Sequence, residues 1–457
     1  MVCQLLRRLH LERSNSLPQI LAGSPETPGQ NSPLREVATD TLTVDNRRLP
    51  TTELDFVMSQ SVLQGLAQPA DTRLVLLVVD GLGGLAQEPN GLTELEAART
   101  PNMDLLAAEG QTGLSQAIGP GITSGSGPGH LALFGYDPVS NNVGRGALSA
   151  LGLGVELNDG DVAVRLNFCT VDDQGRILDR RAGRIDSSLN SALVSRLNAI
   201  DVPGIDLQFL TESQHRAVLV LRGSGLDPRI AETDPQRLNV SPVDPEAVHP
   251  EAQRTSDVLK HVLAAVRECI GRDSPANFVL MRGYAGRPVF QGIDQLYRIN
   301  PLCIATYPMY KGLARAVGMD VAEGLDTLSG EVAELGAQWN SYDYFFLHVK
   351  APDARGEDGD FDGKVAAIEE VDASVPDILQ LQPDVLVVTG DHSTPAVLRQ
   401  HSWHPSPFLI WGQWVRPDRA EAFGERACET GGLGVFPAQS IMAMMLGHGG
   451  RLAKFGA

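Results

Sequence analysis

The sequence predicts an α/β fold in which a mostly parallel sheet is flanked by helices. Three apolar runs, at 73–79, 343–350 and 384–389, are typical of strands that are buried on both faces. Acidic and imidazole side chains follow these runs: Asp80 after the first, Asp353 and Glu357 after the second, and Asp391 with His392 after the third. Because the carboxyl ends of parallel strands share one edge of a sheet, we expect these side chains to form one site.

The chain of 457 residues is predicted to contain a core domain that is split in sequence. Residues 53–140 and 301–457, where helix and strand signals alternate, form this core. Residues 141–300 carry shorter strand-like runs, such as 216–222, and we interpret them as an inserted, smaller α+β domain that binds substrate. Residues 1–52 are rich in Ser, Pro, Thr and Asn without periodicity, which predicts a disordered N-terminal extension.

Composition excludes several classes of protein. The formal net charge of −19 argues against a nucleic-acid partner, since affinity for the phosphate backbone requires clustered basic groups. No run reaches the roughly 18 consecutive apolar residues of a membrane span, so we expect no membrane association. The five cysteines are scattered and form no metal-ligand pairs, which is typical of a reducing compartment, and we expect a cytoplasmic protein. Oligomeric state has no signal in the sequence.

A glycine- and serine-rich segment, 119–129, leads into a helix signal that begins at His130. Such a turn presents backbone N–H groups at a helix start and therefore suits an anion. Ser126 lies in this turn. A serine in a turn is most often structural, and strand-terminal aspartates often cap helices, so the prediction depends on the whole set of residues rather than on any one.

As a set, these residues predict a two-metal site for phosphoryl transfer. One cation is assigned to Asp80, Ser126, Asp391 and His392, and the other to Asp353, Glu357 and His401. Carboxylate oxygens suit hard divalent cations, and imidazole extends the choice towards softer ones. We expect two divalent cations per chain, with Mn²⁺ as the first choice and Mg²⁺, Zn²⁺ or Co²⁺ as alternatives. A cation beside Ser126 favours loss of its hydroxyl proton, which activates the nucleophile.

Two other motif matches point to different chemistry and are set aside. Residues 81–86 match the dinucleotide-binding pattern G-x-G-x-x-A, but Asp80 would repel a pyrophosphate. Residues 358–369 match the calcium-loop pattern, but the strand predicted up to Lys350 stands where an entering helix is required.

Longer motifs, in order along the chain, resemble one family. They are VVDGLGG at 78–84, GPGITSGSGPGHLALFGYDP at 119–138, DRRAGRI at 179–185, KAPDARGEDGDF at 350–361 and TGDHSTP at 389–395. This set is similar to the archaeal-type 2,3-bisphosphoglycerate-independent phosphoglycerate mutases of the alkaline phosphatase superfamily. The likeness runs from about residue 74 to the C-terminus, and it implies an alkaline-phosphatase-like core.

The resemblance implies an isomerase of glycolysis and gluconeogenesis whose small-molecule partner is phosphoglycerate. In that family, the serine matching Ser126 accepts the phosphoryl group of 3-phosphoglycerate and returns it at the other hydroxyl to give 2-phosphoglycerate, with two divalent cations, typically Mn²⁺. The family usually has histidine where this chain has Glu357, a harder ligand. The substrate-binding residues that the resemblance implies are Arg165, Arg181, Arg184, Arg282 and Lys311.

Two other functions stay open on the sequence alone. The same core serves many reactions, so a metal-dependent phosphomonoesterase or phosphotransferase acting on another small phosphorylated metabolite is the alternative. A non-catalytic metal-binding protein is the third possibility.

Overall fold

Two β-sheets organise residues 60–141 and 143–456, which are the residues that the computed structural model describes. The extension predicted at 1–52 lies outside the described residues. In chain order the strands are β1 (Leu74–Val79), β2 (Gln111–Gln116), β3 (Val162–Val171), β4 (Ile177–Asp179), β5 (Asp206–Ser213), β6 (Arg216–Arg222), β7 (Phe278–Ala285), β8 (Pro301–Ala305), β9 (Asp320–Val321), β10 (Tyr344–Val349), β11 (Val385–Thr389), β12 (Ser406–Gly412) and β13 (Val435–Pro437).

Helices surround both sheets. The α-helices are α1 (Gln60–Leu66), α2 (Glu94–Ala97), α3 (Pro101–Glu109), α4 (Ser126–Leu133), α5 (Arg145–Gly152), α6 (Ser187–Leu197), α7 (Gln253–Ile270), α8 (Ile293–Tyr297), α9 (Pro308–Ala316), α10 (Leu328–Gln338), α11 (Ala351–Asp358), α12 (Phe361–Gln380), α13 (Glu425–Glu429) and α14 (Ser440–His448). Short 3₁₀ turns lie at Ala182–Arg184 and Pro250–Ala252. No helix in the described ranges combines the length and the apolar character that crossing a membrane requires.

The larger sheet has eight strands in the order β13-β2-β12-β11-β1-β10-β8-β9. Strands β11, β1, β10, β8 and β9 run parallel, whereas β12 is antiparallel to both of its neighbours. Five of its seven pairings are parallel, if that of β13 with β2 is included. The predicted fold class, a mostly parallel sheet flanked by helices, is confirmed.

Strand β1 shows why this sheet forms the centre of the core. All six of its residues are buried, because side chains that alternate between the two faces meet helices on both sides. Leu74, Leu76 and Val78 pack with residues of α4, α9 and α14, while Val75 and Leu77 pack with residues of α3, α10 and α12. Continuous burial on both faces explains the unbroken apolar run that the sequence shows.

The smaller sheet is antiparallel and lies within the range predicted as an insertion. Its order is β4-β3-β6-β5, and β7 pairs with the edge of β3 that lies opposite β6. Helix α5 packs closely against both helix α9 and strand β3, since a Cβ at Gly152 would collide with Pro308 of α9 and a Cβ at Gly146 would collide with Ala163 of β3. The described residues form one compact unit. The domain boundaries at 141 and 300 therefore stay predictions.

The calcium-loop match at 358–369 is excluded, although not for the reason that the sequence suggested. A helix, α11, does precede the motif, where the sequence predicted only a strand. However, α12 begins at Phe361, so most of the motif is helical instead of forming a ligand loop. Asp360 instead caps α12 by accepting a hydrogen bond from the amide of Gly363 at 3.0 Å.

Glu331 in α10 gives a prediction about stability. The side chain is 2% exposed, and burial raises its pKa to about 8, although a backbone hydrogen bond at Thr306 and the charge of Lys311 act in the opposite direction. A raised carboxyl pKa stabilises the fold fully below the unfolded pKa, and this contribution is lost as pH rises through the folded pKa. We expect Glu331→Gln to increase the free energy of unfolding by about 2–4 kcal/mol more at pH 8 than at pH 4.5.

Urea unfolding of both proteins at several pH values measures this difference. The comparison isolates Glu331, because the other titrating groups are shared. A difference between variant and wild type that does not change with pH would contradict the assignment.

Candidate active site

The ends of three parallel strands bring the predicted carboxylates to one edge of the sheet. Asp80 follows β1, Asp391 lies two residues after β11, and Asp353 lies in the first turn of α11, which follows β10. Their exposures are 0%, 1% and 1%. The amide of Asp80 donates to the carbonyl oxygen of Val349 at 3.0 Å, and the amide of Gly81 donates to Asp391 Oδ1 at 3.2 Å. The strand register therefore fixes the distances between these acids.

Two groups of side chains have the composition and spacing of metal ligands. Asp80, Asp391 and His392 form the first, and Asp353, His392 and His401 form the second; within each group the ligand atoms lie within 4.8 Å of one another. His392 belongs to both groups, whereas the sequence predicted it for the first alone. The rings of His392 and His401 stack, with centroids 3.7 Å apart. The two groups are therefore adjacent.

The polar atoms of the first group fit a divalent cation. Asp80 Oδ1 and Asp391 Oδ2 are buried and have no hydrogen-bond partner among the described residues. They lie 3.5 Å and 3.1 Å from His392 Nε2. Burial lowers the pKa of His392, and the attraction of Asp391 and Asp80 offsets only part of that effect. A neutral imidazole beside two buried carboxylate oxygens is the ligand set that such cations prefer.

Ser126 is the first residue of α4, where the positive end of the helix dipole favours an anion. Its Oγ lies 3.1 Å from His392 Nε2. Gly129, in the same turn, allows this approach, because a Cβ at that position would lie 2.5 Å from the carbonyl oxygen of Asp391. The glycines of the predicted anion-binding turn therefore bring the hydroxyl against the first ligand group.

Glu357 lies at the edge of the second ligand group. Its side chain is 57% exposed, and its Oε1 is 3.8 Å from His401 Nε2. Asp353 Oδ1 is closer to the same nitrogen, at 3.5 Å. His401 Nδ1 lies 3.0 Å from the carbonyl oxygen of Ser124, in the glycine-rich turn. Glu357 thus lies near the second group, but it is not one of the three residues whose ligand atoms all lie within 4.8 Å of one another.

Two residues that were not predicted from the sequence, His130 in α4 and Tyr310 in α9, contact the carboxylates of the first group. His130 Nδ1 lies 2.8 Å from the carbonyl oxygen of Ser126 and 3.2 Å from Asp391 Oδ2. Burial lowers the pKa of His130, but the charge and hydrogen bond of Asp391, together with the charge of Asp80, raise it overall. Tyr310 in α9 donates a hydrogen bond to Asp80. The spacing of His130 and Ser126, four residues apart on one helix face, is a signal that could have identified His130.

Lys350 and His348, at the end of β10, were also missed as site residues. Lys350 Nζ lies 2.9 Å from Asp80 Oδ2 and 2.5 Å from Asp353 Oδ2. His348 Nε2 lies 3.4 Å from Asp80 Oδ2, and its ring stacks on Tyr310 with centroids 3.6 Å apart. Although burial raises the pKa of Asp80, the charge of Lys350 and the contact with His348 hold it well below its usual value.

Apart from the ligand groups, a cluster of arginines lies on the smaller sheet around His215. His215 is 3% exposed and its Nδ1 has no hydrogen-bond partner among the described residues. Burial, together with the nearby positive charges of Arg216, Arg181, Arg165 and Arg184, lowers its pKa to about 4. The structure thus brings three of the five predicted substrate-binding residues together, with Arg216 as an unpredicted fourth cation.

The loop that carries Arg181 and Arg184 has an unusual backbone. Ala182, Gly183 and Arg184 all have positive φ, at 45°, 67° and 55°. The Asp179 carboxylate holds this loop by accepting hydrogen bonds from the amides of Arg181 and Gly183, at 2.8 Å and 2.7 Å. Non-glycine residues with positive φ cost roughly 1–2 kcal/mol each, and such strain concentrates at functional sites.

The other two predicted substrate-binding residues lie in ion pairs, as Arg165 does with Glu212 at 3.5 Å. Lys311 Nζ is 3.0 Å from Glu323 Oε2, and its side chain is 8% exposed. Arg282 lies 3.2 Å from Glu232 and 3.6 Å from Asp234. Arg282 lies opposite Arg165 in the pairing of β7 with β3, next to the arginine cluster, and the contact of Arg282 and Lys311 with substrate stays a prediction.

Arg216 links the arginine cluster to the ligand groups. Its Nη1 donates to the hydroxyl of Tyr307 at 2.7 Å. The ring of Tyr307 in turn lies 5.7 Å from Lys350 Nζ. A substrate with two anionic ends can therefore meet positive charge on both sheets.

Comparisons with known proteins identify the family. The family of 2,3-bisphosphoglycerate-independent phosphoglycerate mutases matches this chain over residues 107–277. A Thermus thermophilus protein, described as a probable 2,3-bisphosphoglycerate-independent phosphoglycerate mutase, is 47% identical over 402 residues, which cover 87% of this chain and 99% of the relative. The chain belongs to this family. A relative from Deinococcus radiodurans with the same description is 45% identical over 403 residues, covering 86% of this chain and 98% of the relative.

Solved structures show the same relationship for this mutase family member. A protein from Pyrococcus horikoshii is 31% identical with a TM-score of 0.73, and the match covers 86% of this chain and 100% of that protein. The cofactor-independent phosphoglycerate mutase from Thermoplasma acidophilum is 27% identical with a TM-score of 0.61, covering 83% and 99%. The family that the sequence motifs predicted is confirmed.

Thr394 gives a test of the metal groups in this mutase family member. Its Oγ1 lies 2.7 Å from Asp353 Oδ1 and 3.0 Å from His392 Nδ1, so it links two ligands of the second group, and His392 is shared with the first. Partners that orient metal ligands typically contribute 10–100-fold to affinity. We expect Thr394→Val to weaken Mn²⁺ binding by about 10-fold or more, measured by titration calorimetry. Thr394→Ser, which keeps the hydroxyl, is the matched control, and equal affinities in all three proteins would exclude a role for this hydroxyl.

Proposed function

We propose that this chain interconverts 3-phosphoglycerate and 2-phosphoglycerate through a phosphoserine at Ser126, in the cytoplasmic reactions of glycolysis and gluconeogenesis. The observation that carries the proposal is the position of Ser126 Oγ, 3.1 Å from His392 at the start of a helix and beside buried carboxylates. Family membership supports the same reaction, since the relatives from Thermus and Deinococcus are described as mutases of this type.

Two divalent cations would complete the site. Asp80, Asp391, His392 and Ser126 would hold one, and Asp353, His401 and Glu357 the other, with His392 between them. The mixture of carboxylate and imidazole favours Mn²⁺, with Mg²⁺, Zn²⁺ and Co²⁺ as the other candidates. When bound, such cations would withdraw negative charge from the phosphoryl oxygens and from the serine oxygen.

The chain's own residues account for the remaining steps. Ser126 Oγ attacks phosphorus as the bond from phosphorus to O3 of the substrate breaks, and O3 takes up the proton that the serine loses. Glycerate then turns within the closed site, and its O2 attacks phosphoserine while the serine regains a proton. The arginine cluster around His215 would hold the carboxylate during this turn, because guanidinium groups bind carboxylates in a bidentate manner.

Ser126→Ala tests the proposal. Without the hydroxyl no phosphoserine can form, so we expect the mutase rate to fall by about 10³-fold or more. An enolase-coupled assay with 3-phosphoglycerate measures the rate, and mass spectrometry of the acid-quenched wild type detects phosphoserine. Chelator should abolish wild-type activity and added Mn²⁺ restore it. Mutase activity in Ser126→Ala that matches the wild type would refute the assignment.

The same preparation distinguishes the alternative enzyme. A phosphomonoesterase would release inorganic phosphate from 3-phosphoglycerate faster than it forms 2-phosphoglycerate. We expect phosphate release to be the slower of the two, since glycerate has to stay in the site for the return step.

Arg216→Met tests the proposed carboxylate site. Removing a charged hydrogen-bond donor from a buried contact costs roughly 1.5–3 kcal/mol, so we expect KM for 3-phosphoglycerate to rise by about 10- to 100-fold. Arg272, which is exposed, provides the matched control as Arg272→Met. An unchanged KM in the Arg216 variant would show that this cation does not contact the substrate.

A further inference from the structure

Lys350 lies where the two ligand groups meet. Its Nζ contacts Asp80 of the first group at 2.9 Å and Asp353 of the second at 2.5 Å. A third contact, at 3.2 Å, is with the hydroxyl of Tyr310. The residue is not a metal ligand, because a protonated amine has no lone pair to offer, and so the ligand chemistry of the site does not account for it.

The ammonium keeps its charge in this position. Asp80 Oδ2 and Asp353 Oδ2 both lie within hydrogen-bonding distance of Nζ, so the lysine retains the positive charge that it ordinarily carries at neutral pH. The rings of Tyr307 and Tyr310 lie 5.7 Å and 5.6 Å from Nζ, at distances typical of cation–π contacts. A fixed positive charge thus sits between two carboxylates that are themselves predicted to bind cations.

This position sets up a competition. The ammonium contacts Oδ2 of Asp80 and Oδ2 of Asp353, and a divalent cation at either group needs the same carboxylates. Like charges a few ångström apart repel strongly where water is scarce. The lysine side chain is 27% exposed and ends a flexible four-carbon stem, so it has room to move away when a cation arrives.

We propose that Lys350 is an internal counter-cation: its ammonium neutralises Asp80 and Asp353 before divalent cations bind, and once displaced it binds the phosphoryl group. The second half of this inference rests on the proposed function. An ammonium offers three donors to phosphoryl oxygens, and it adds positive charge where negative charge accumulates during transfer. Lys350 would then act as a catalytic residue that is also a competitor of the metals.

Lys350→Met separates the two halves, because it keeps the length of the stem and removes the charge. We expect Mn²⁺ to bind the variant at least about 10-fold more tightly than the wild type, measured by calorimetry without substrate. With Mn²⁺ saturating, we expect kcat to fall by about 100-fold or more. The two effects have opposite signs, whereas general damage to the site would weaken both metal binding and turnover.

The controls keep the test decisive. Lys260→Met removes a charge that pairs with Glu246 on the surface, and should change neither quantity. Lys350→Arg keeps the charge, so it should bind Mn²⁺ no more tightly than the wild type; it decides the matter if the methionine variant does not fold. Binding of Mn²⁺ to Lys350→Met that is equal to or weaker than in the wild type, or tighter binding by Lys350→Arg, would overturn the counter-cation role.

The failure of this inference is distinguishable from the failure of the proposed function. If the wild type does not form 2-phosphoglycerate while Lys350→Met binds Mn²⁺ more tightly, the counter-cation role stands and the mutase assignment falls. If the wild type is an active mutase and kcat of Lys350→Met is unchanged, the phosphoryl-binding role falls.

Discussion

The crowding of negative charge at one edge of the larger sheet is the constraint on which the rest of the site depends. Asp80, Asp391 and Asp353 are almost fully buried, and burying an unpaired carboxylate costs on the order of several kcal/mol. The chain meets part of this cost with Lys350 and with the amide of Gly81. Two carboxylate oxygens nevertheless keep no hydrogen-bond partner in the described residues. A site built in this way is selective for cations, because a neutral or anionic occupant would not neutralise the buried carboxylates.

A buried network behind the site holds the loops that carry these acids. Lys364 is fully buried and donates to the carbonyl oxygens of Gly83 and Thr394, at 3.0 Å and 2.9 Å. Glu94, also fully buried, accepts from the amides of Leu85 and Ala396, at 3.1 Å and 2.6 Å. Each of the two charged groups thus joins the loop after β1 to the loop after β11. Ligand distances in the first group are therefore set by charged contacts as well as by the strand register.

The sequence predicted those features that depend on local pattern. The central strands were recognisable because burial on both faces leaves continuous apolar runs, and the acids because they end those runs. His130 was missed although its spacing from Ser126 was a local signal, whereas the contact of Lys350 with Asp80 arises only when β10 pairs with β1. The calcium-loop match was set aside because the sequence predicted a strand, and no helix, before residue 358. That premise was wrong, since helix α11 begins directly after the strand and the lysine at the strand end, Lys350, did not indicate it. Ion pairs between distant residues, such as Lys311 with Glu323, leave little trace in a single sequence.

The arrangement of the two sheets suits the proposed reaction, in which the substrate turns around within one site without being released. The ligand groups lie on the rigid parallel sheet, while the arginines around His215 lie on the antiparallel one, and Arg216 joins the two through Tyr307. His215 stays neutral at physiological pH because burial and four arginines disfavour its protonation, so the cluster gains no further repulsive charge. Because Asp179 holds the strained loop that carries Arg181 and Arg184, these two arginines are preorganised to bind an anion with little loss of entropy. Under the proposed function, the carboxylate end would stay fixed while the two hydroxyls exchange places at Ser126, as an intramolecular phosphoryl shift requires.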